Sequence, residues 1–136
     1  MQSDIKPWWD ETDFRLLIGS TSIDYDPDKD EINRKQHGYG LESAVFLLRE
    51  ELLPLHRGIG PLLTSEPVCV DDEIRHQHMT RDEHGTVLFM VTTMRKNETV
   101  RVISLRPASE KEQRIYFECC REFLRRAGVT PKSGGV

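Results

Sequence analysis

The 136-residue sequence has no long apolar run. No stretch holds enough consecutive apolar residues to cross a bilayer, so a membrane-spanning helix is not expected. The opening residues, MQSDIKPWWDETDF, do not show the charged-then-apolar order of a signal peptide. We therefore expect a cytoplasmic protein that does not contact a membrane.

Cysteine is scarce, with only Cys69 and the adjacent Cys119 and Cys120. An odd number with two direct neighbours makes a poor disulfide framework, which favours reduced thiols. No spaced cysteine pair is present, so we assign no zinc site. Cys119 and Cys120 fall within a helical pattern near its apolar stripe, and we interpret them as core packing rather than as nucleophiles.

An excess of basic residues is also missing, since the net charge is −4. That total argues against a nucleic-acid binder, but the charges are unevenly placed. Nine of the acidic residues lie in the first 31 positions, whereas residues 99–132 carry eight basic and four acidic residues. Because local fields matter more than the total charge for binding phosphates, the C-terminal third remains a candidate for anion binding.

The first half of the chain predicts one strand and two helices. Residues 21–25 form the strand, and Asp26-Pro27 opens a helix to about residue 36, with Asp as N-cap and Pro at the first helical position. A second helix from Leu41 to about Leu53 buries an apolar face and ends at Pro54. Residues 54–72, rich in Pro and Gly, are predicted to form a loop with a short element around Leu62.

The second half predicts three strands and a helix. The strands span about residues 73–79, 86–94 and 99–105, and the tight turns between them make an antiparallel meander whose middle strand is central. Ser109 and Glu112 form a capping box that opens the last helix, and Gly128 ends it. The apolar stripe of that helix is formed by Tyr116, Cys120, Phe123 and Ala127, with Cys119 and Leu124 beside it.

The pattern as a whole predicts a small α+β domain. Its sheet is mainly antiparallel with about four strands, two helices follow the first strand, and one long helix lies at the C-terminus. We expect a single domain over residues 21–128, an acidic extension over residues 1–20 and a flexible tail over residues 129–136.

Two stretches resemble metal sites and are interpreted otherwise. The acids of DPDKDEINRKQHG, residues 26–38, lack the glycine and the closing glutamate of a calcium loop. His76 and His78 alternate onto one strand face near His84, but the sequence fixes no further ligand, so a half-exposed polar face is preferred. We predict neither a metal nor another cofactor.

The strand before the last helix carries the candidate phosphate-binding groups. Strict alternation places Ser104 and Arg106 with Val100 and Val102 on one face, and Arg101, Ile103 and Leu105 on the other. An arginine at the end of a strand, with others on a neighbouring strand, can hold a phosphate through two hydrogen bonds. Glu112 has two readings, as a capping residue and as a catalytic carboxylate, and the capping box favours the first.

Several segments together resemble the BrnT family, the toxin halves of bacterial type II toxin–antitoxin pairs. The matching segments are Tyr25-Asp26, the helix end Asn33 to Gly38, Ala44-Val45-Phe46, Glu73 with Arg75, Gly85, and the run from Arg101 to Arg106 followed by Ala108, Ser109, Glu112 and Tyr116. The resemblance covers about residues 21–120. Gln36 stands where the family has lysine, with Lys35 beside it.

The resemblance implies a RelE-like fold and a metal-independent endoribonuclease that uses attack by the RNA 2′-hydroxyl. Under it, Arg75 and Arg106 hold the phosphate, and His37 or Glu112 moves protons. The supporting substrate-binding residues are Lys35, Arg101 and Tyr116. The implied partners are RNA and a BrnA-like antitoxin, and a homodimer within the toxin–antitoxin complex stays open. The alternative is a non-catalytic module that keeps this fold and binds protein or RNA, which the acidic total charge and Gln36 favour.

Overall fold

A computed structural model describes residues 14–52, 60–126 and 128 of the chain. In this part the elements are β1 (Ser22–Tyr25), α1 (Pro27–His37), α2 (Leu41–Leu52), β2 (Leu63–Thr64), β3 (Val68–Val70), β4 (Glu73–Arg81), β5 (Val87–Arg95), β6 (Thr99–Pro107) and α3 (Glu110–Arg126). The predicted α+β class is confirmed. The expected structures of residues 1–13, of Pro54 after α2 and of the tail 129–136 fall outside the described residues.

The strands form one mixed sheet in the order β1-β6-β5-β4-β2, with β3 also paired to β4. The strands β4, β5 and β6 make the predicted antiparallel meander, and β5 is central, as predicted. The first strand joins β6 in parallel, through pairs such as Asp24 with Arg101. The sheet is therefore antiparallel except at the β1 edge.

Two short strands, β2 and β3, lie within the predicted loop between α2 and β4, and β2 is close to the short element expected around Leu62. They pair antiparallel with successive parts of the edge of β4 that does not face β5. Strands of two and three residues carry too few positions to show an alternating pattern. Their pairing depends on the free N–H and C=O groups at the edge of β4, which form hydrogen bonds with the backbone that lies beside them.

The predicted N-cap of α1 is confirmed. The Asp26 carboxylate accepts a hydrogen bond from the Asp28 amide at 2.8 Å, and Pro27 occupies the first turn. At the other end Gly38 adopts φ 76°, a left-handed conformation that glycine tolerates without steric cost, and its N–H donates to the Arg34 carbonyl. These caps define where the basic end of α1 lies.

Two hydrophobic clusters pack on opposite faces of the sheet. The larger lies between α2 and the face that we call the core face; it contains Leu41, Ala44, Val45, Leu47 and Leu48 from α2, and Leu88, Met90, Val100, Val102 and Leu105 from β5 and β6. The predicted burial of an apolar face of α2 is confirmed. The smaller cluster holds α3 against one end of the opposite, outer face and contains Val87, Ala108 and Tyr116.

Among the helices described, none has the length and apolar character needed to cross a membrane.

Candidate active site

The outer face carries a row of polar residues across four strands. The register pairs Arg75 on β4 with Thr93 on β5, Thr93 with Arg101 on β6, and Arg101 with Asp24 on β1. Paired residues of neighbouring strands point to the same side of a sheet, so these four side chains share the outer face. Two strand spacings place the backbones of Arg75 and Arg101 about 10 Å apart.

A β-bulge in β6 brings Arg106 to the same face as Arg101. Val91 pairs with Ser104 and Thr92 with Val102, so Ile103 is an extra residue without a partner on β5. Arg101, Ser104 and Arg106 therefore share the outer face, while Val100, Val102 and Leu105 share the core face. The strict alternation expected from the sequence is wrong here, because one inserted residue reverses the pattern for everything after it.

We call the part of the outer face that carries Arg75, Arg95, Arg101 and Arg106 the arginine face. Arg106 on β6 pairs with Phe89 on β5, which is four residues from Thr93. Arg106 therefore lies about 13 Å along the strands from the row of Arg75 and Arg101. The three predicted arginines thus share a face but occupy two rows, with Arg75 and Arg101 in what we call the upper row and Arg106 in the lower row. A single phosphate would contact one row, and a longer strand of nucleic acid could contact both.

Carboxylates pair with the arginines of the upper row. Arg101 donates to both oxygens of Asp24, at 3.0 and 3.2 Å, and this contact raises the pKa of Arg101 above its ordinary value. Glu73 bridges Arg75 at 2.9 Å and Arg95 at 3.2 Å. Each guanidinium has five N–H groups, so donors remain available for an anionic ligand.

Arg106 is held more firmly than the others. Its guanidinium donates to both carboxylate oxygens of Glu112, at 2.8 and 2.9 Å, and lies over the Phe89 ring, 4.2 Å from its centroid. A two-point ion pair and a cation–π contact fix the position of a side chain that is otherwise flexible. Arg106 therefore presents its remaining donors in a defined direction.

Glu112 is both a cap and the partner of Arg106. It accepts from the Ser109 amide at 2.8 Å, and the Ser109 hydroxyl accepts from the Glu112 amide at 3.1 Å, which confirms the predicted capping box. The hydrogen bonds from Arg106 are the main cause that lowers the pKa of Glu112 to about 2. A carboxylate with so low a pKa is a weak proton acceptor, which favours a positioning role.

The end of α1 lies beside β6 through Asn33. The Asn33 side chain is buried and pairs with the backbone of Leu105, donating to its carbonyl at 2.8 Å and accepting from its amide at 3.1 Å. Asn33 thereby takes the place of a strand partner for β6 at Leu105, a position that β1 does not reach because it pairs only with Thr99 to Val102. His37 follows Asn33 by one helical turn on the same side of α1, about 6 Å along the axis.

His37 is half-buried at the last position of α1, and Lys35 is exposed with its ammonium 3.4 Å from Glu31. Asn33 of α1 contacts Leu105, the residue before Arg106. The C-terminal end of α1, which carries Lys35 and His37, therefore lies towards Arg106. The convergence of His37 with Arg75 and Arg106 on one exposed face stays a prediction.

Tyr116 lies away from the exposed part of the site. It is 1% exposed, and its hydroxyl donates to the Pro61 carbonyl at 2.9 Å. Burial raises its pKa well above the ordinary value. A β-carbon on Gly60 would collide with the Tyr116 hydroxyl, so the loop backbone approaches the ring closely at a glycine. Tyr116 supports the docking of α3.

The histidines of β4 face the core, so the expected half-exposed polar face is wrong. His76 and His78 are 4% and 1% exposed, and Phe14 packs its ring 4.3 Å from that of His78. His78 hydrogen-bonds Thr64 and Thr92 through its two ring nitrogens, and burial is the main cause that lowers its pKa to about 3. The described residues contain no group of three His, Cys, Asp or Glu side chains suited to a metal ion.

The cysteines differ from the predicted core packing at one position. Cys120 is half-buried on the side of α3 that packs against the smaller cluster, whereas the adjacent Cys119 is exposed. The physical reason is that the outer face under this part of α3 is only partly filled. Burial raises the pKa of the Cys120 thiol, which disfavours a nucleophilic role for it.

Sequence reasoning missed Phe89 and Asp24 as parts of this region, and it named Asn33 and Glu73 only within the matching segments, without a role. The burial of Asn33 follows from its contact with β6, and the polar residues around it in the sequence do not indicate it. The pairing of Asp24 with Arg101 joins residues 77 positions apart and follows from the parallel register of β1. No spacing in the sequence indicates it.

Comparison with known proteins identifies a family. A family model described as the ribonuclease toxin BrnT of type II toxin–antitoxin systems matches residues 25–112, which include Arg75, Arg101, Arg106 and Glu112. Among solved structures, the chain is similar to the ribonuclease toxin BrnT of Brucella abortus, with 18% identity and a TM-score of 0.47, over 67% of this chain and 100% of that chain. No match was found among curated protein sequences.

Proposed function

Because the chain belongs to the BrnT family of ribonuclease toxins of type II toxin–antitoxin systems, we propose that it cleaves RNA on the arginine face. Membership of the family also implies a protein antitoxin as its partner. The proposed reaction is attack of an RNA 2′-hydroxyl on the adjacent phosphorus, which breaks the bond to the 5′-oxygen. It requires a group that accepts the hydroxyl proton, a group that protonates the leaving oxygen, and cations for the charge on the phosphate.

The arginines supply the cations in this proposal. Arg106 is fixed by Glu112 and Phe89 and keeps N–H donors unused by either contact, so it is suited to hold the phosphate that reacts. Arg75 and Arg101 would hold a neighbouring phosphate or sugar of the same strand, because their row lies about 13 Å away along the strands. The observation that carries the proposal is the bulge at Ile103, which gathers Arg101 and Arg106 on one open face.

His37 is our candidate for proton transfer, with Lys35 supporting it. An imidazole both accepts and donates protons near neutral pH, which general acid–base catalysis of this step needs. Glu112 contributes by orienting Arg106, since its pKa of about 2 suits an acceptor of hydrogen bonds more than a base. We propose that the reaction needs no metal, because the cations that it requires are already present as guanidinium groups.

The decisive experiment expresses the chain alone under an inducible promoter and then assays the purified protein on RNA. We expect growth arrest and RNA fragments that end in a 2′,3′-cyclic phosphate, formed equally with and without a chelator. His37→Gln should reduce the rate of cleavage by about 10²–10⁴-fold, the usual contribution of an acid–base residue. His84→Gln, a change at an exposed histidine in the turn after β4, is the matched control and should leave the rate unchanged.

A second function is favoured by the carboxylates on the arginine face. Arg75, Arg101 and Arg106 each have an acidic partner in the free chain, and the net charge is −4. A module that binds RNA or protein without cutting it would tolerate such neutralisation. Growth arrest that occurs without cleaved RNA, and that His37→Gln does not relieve, would establish this reading instead.

A further inference from the structure

An apolar groove opens on the outer face directly beside Arg106. It has a volume of about 210 Å³ and lies between α3 and the strands β2, β4 and β5. Leu63, Met79 and Phe89 line it from the sheet side, and Ile115 and Cys119 line it from α3. Ile115 is 43% exposed and Cys119 is exposed, so apolar surface is left open to solvent at this place.

Phe89 links the groove to the candidate phosphate site. The Arg106 guanidinium lies over its ring at 4.2 Å, and the same residue lines the groove. A ligand that fills the groove would therefore hold its next charged group within reach of Arg106. Arg106 uses its contacts with Glu112 and with the Pro107 carbonyl for part of its five N–H groups, and donors remain for a phosphate.

The size and chemistry of the groove fit one flat ring. An apolar cavity of about 150 Å³ accommodates benzene, so this groove can take a single aromatic ring system but not a helix, whose diameter with side chains is about 10 Å. The polar side chains at its rim are largely engaged: the Thr64 hydroxyl contacts His78, and the Ser65 hydroxyl donates to the Glu66 carbonyl. Contact with ring faces and edges would dominate over hydrogen bonding.

We propose that this groove is a subsite for one unstacked nucleobase of the RNA strand whose phosphate Arg106 holds. The inference rests on the proposed function and adds to it the part of the substrate that the protein contacts besides the phosphate. Single-stranded nucleic acid is commonly bound by apolar and aromatic contacts to bases beside a basic track for the backbone. Because such contacts suit every base, we expect weak sequence preference at this position, set mainly by the Gln77 amide at the rim.

The test measures binding of short single-stranded DNA analogues, which lack the attacking 2′-hydroxyl, to the full chain by fluorescence anisotropy. One series carries a single abasic site at each position in turn. One abasic position should weaken binding by roughly fivefold to a hundredfold, the usual range for loss of one base contact. Cys119→Trp fills the groove and should weaken binding of the intact strand by a similar factor, while it leaves binding of that abasic strand unchanged.

The control is Phe117→Trp, an exposed aromatic position on α3 that does not line the groove, which should change neither measurement. Ile115→Ser is a second groove variant and should act in the same direction as Cys119→Trp. The inference is overturned if no abasic position weakens binding, or if Cys119→Trp weakens intact and abasic strands equally. If either result occurs while the native chain still cleaves RNA, the subsite fails and the proposed function stands; a native chain that neither binds nor cleaves overturns both.

Discussion

Arg106 illustrates how neighbours turn a flexible side chain into a directed one. The Phe89 ring supports one face of its guanidinium, and Glu112 takes two of its donors. Glu112 is itself fixed by the Ser109 amide, so the helix cap and the arginine are coupled. The catalytic and structural readings of Glu112 are therefore connected, because a loss of the carboxylate releases both α3 and Arg106.

Two substitutions at Glu112 separate these roles. Glu112→Gln keeps an acceptor for the Ser109 amide but loses the ion pair, and since a partly exposed pair contributes only about 0–1 kcal/mol, we expect a small loss of stability. Glu112→Ala removes both and should cost about 0.5–2 kcal/mol. Urea unfolding measures the stability, and RNA cleavage measures the activity. A normally folded Glu112→Gln protein with lowered activity fits the positioning role, because Arg106 loses its partner. Full activity in that protein would return Glu112 to a purely structural role as a cap.

Buried His78 should make the protein sensitive to mild acid. Its pKa falls from 6.5 to about 3 on folding, so between these values the unfolded chain binds the extra proton and the folded chain does not. Stability should therefore be complete above about pH 6.5 and should decrease below it, by at most about 1.4 kcal/mol per pH unit for one proton. The pKa of Glu112, lowered from 4.5 to about 2, adds a further loss only below about pH 4.5.

Urea unfolding of the native chain and of His78→Gln at pH 7, 6 and 5 checks this expectation. The substitution should lower stability at pH 7, because a buried neutral ring with two hydroxyl partners is replaced. It should also flatten the decrease between pH 6.5 and 5. An equally steep decrease in both proteins would show that another group takes up the proton.

At the scale of elements, the bulge in β6 decides what the arginine face contains. Ile103 has no partner on β5. The other residues of β6 alternate between the core face and the outer face as if Ile103 were absent. Without a bulge, five positions separate Arg101 from Arg106, and an odd separation would place them on opposite faces. One unpaired residue thus determines whether both arginines can reach the same ligand.

Deletion variants test this interpretation. Removal of Ile103 leaves every remaining residue of β6 on its present face, so we expect a cooperatively folded protein whose strand is less bent. Removal of Val91 from β5 shifts half of that strand by one residue and exchanges its core and outer faces, which should abolish cooperative unfolding. Thermal melts followed by circular dichroism compare the two. Equal disruption by both deletions would argue against a simple insertion at Ile103.

Asn33 has a comparable effect on α1. Its amide occupies the N–H and C=O of Leu105, 72 residues away in sequence, and also donates to the Tyr39 carbonyl. Buried backbone groups need such partners, since an unsatisfied one costs about 1–3 kcal/mol. The side chain therefore ties the basic end of α1 to the strand that carries Arg106.

At the scale of the whole molecule, an acidic chain gathers four arginines on one face. The net charge is −4, yet Arg75, Arg95, Arg101 and Arg106 share one face. Their acidic partners Asp24, Glu73 and Glu112 keep this surface close to neutral in the free protein. Under the proposed function, RNA competes with these internal ion pairs for the arginines, which predicts modest affinity.

The salt dependence of RNA binding gives a measure of the phosphates contacted. For single strands the slope of log K against log salt is about −0.7 for each neutralised phosphate. Arg101→Ala should reduce the size of this slope by about 0.7, because one phosphate contact is lost. Arg125→Ala at the end of α3, where the side chain pairs with Glu122, is the control and should leave the slope unchanged. An unchanged slope for Arg101→Ala would exclude this arginine from the RNA contact.

The sequence by itself determined the elements that depend on near neighbours. The caps of α1, the capping box of α3, the turns of the meander and the periods of 2 and 3.6 residues are all local, so α1, α2, β4, β5, β6 and α3 could be predicted within a few residues. The candidate site was predicted in part, as arginines on adjacent strands beside a capped glutamate.

Only the tertiary structure decided which of these groups meet. The bulge at Ile103, the burial of His78 and Tyr116, and the pairing of Arg101 with Asp24 each depend on contacts between segments far apart in the chain. Such contacts form wherever the packed fold places a free backbone edge, an apolar surface or an opposite charge. A linear pattern specifies which groups are available to interact, whereas the register of the sheet and the packing of the helices specify their partners.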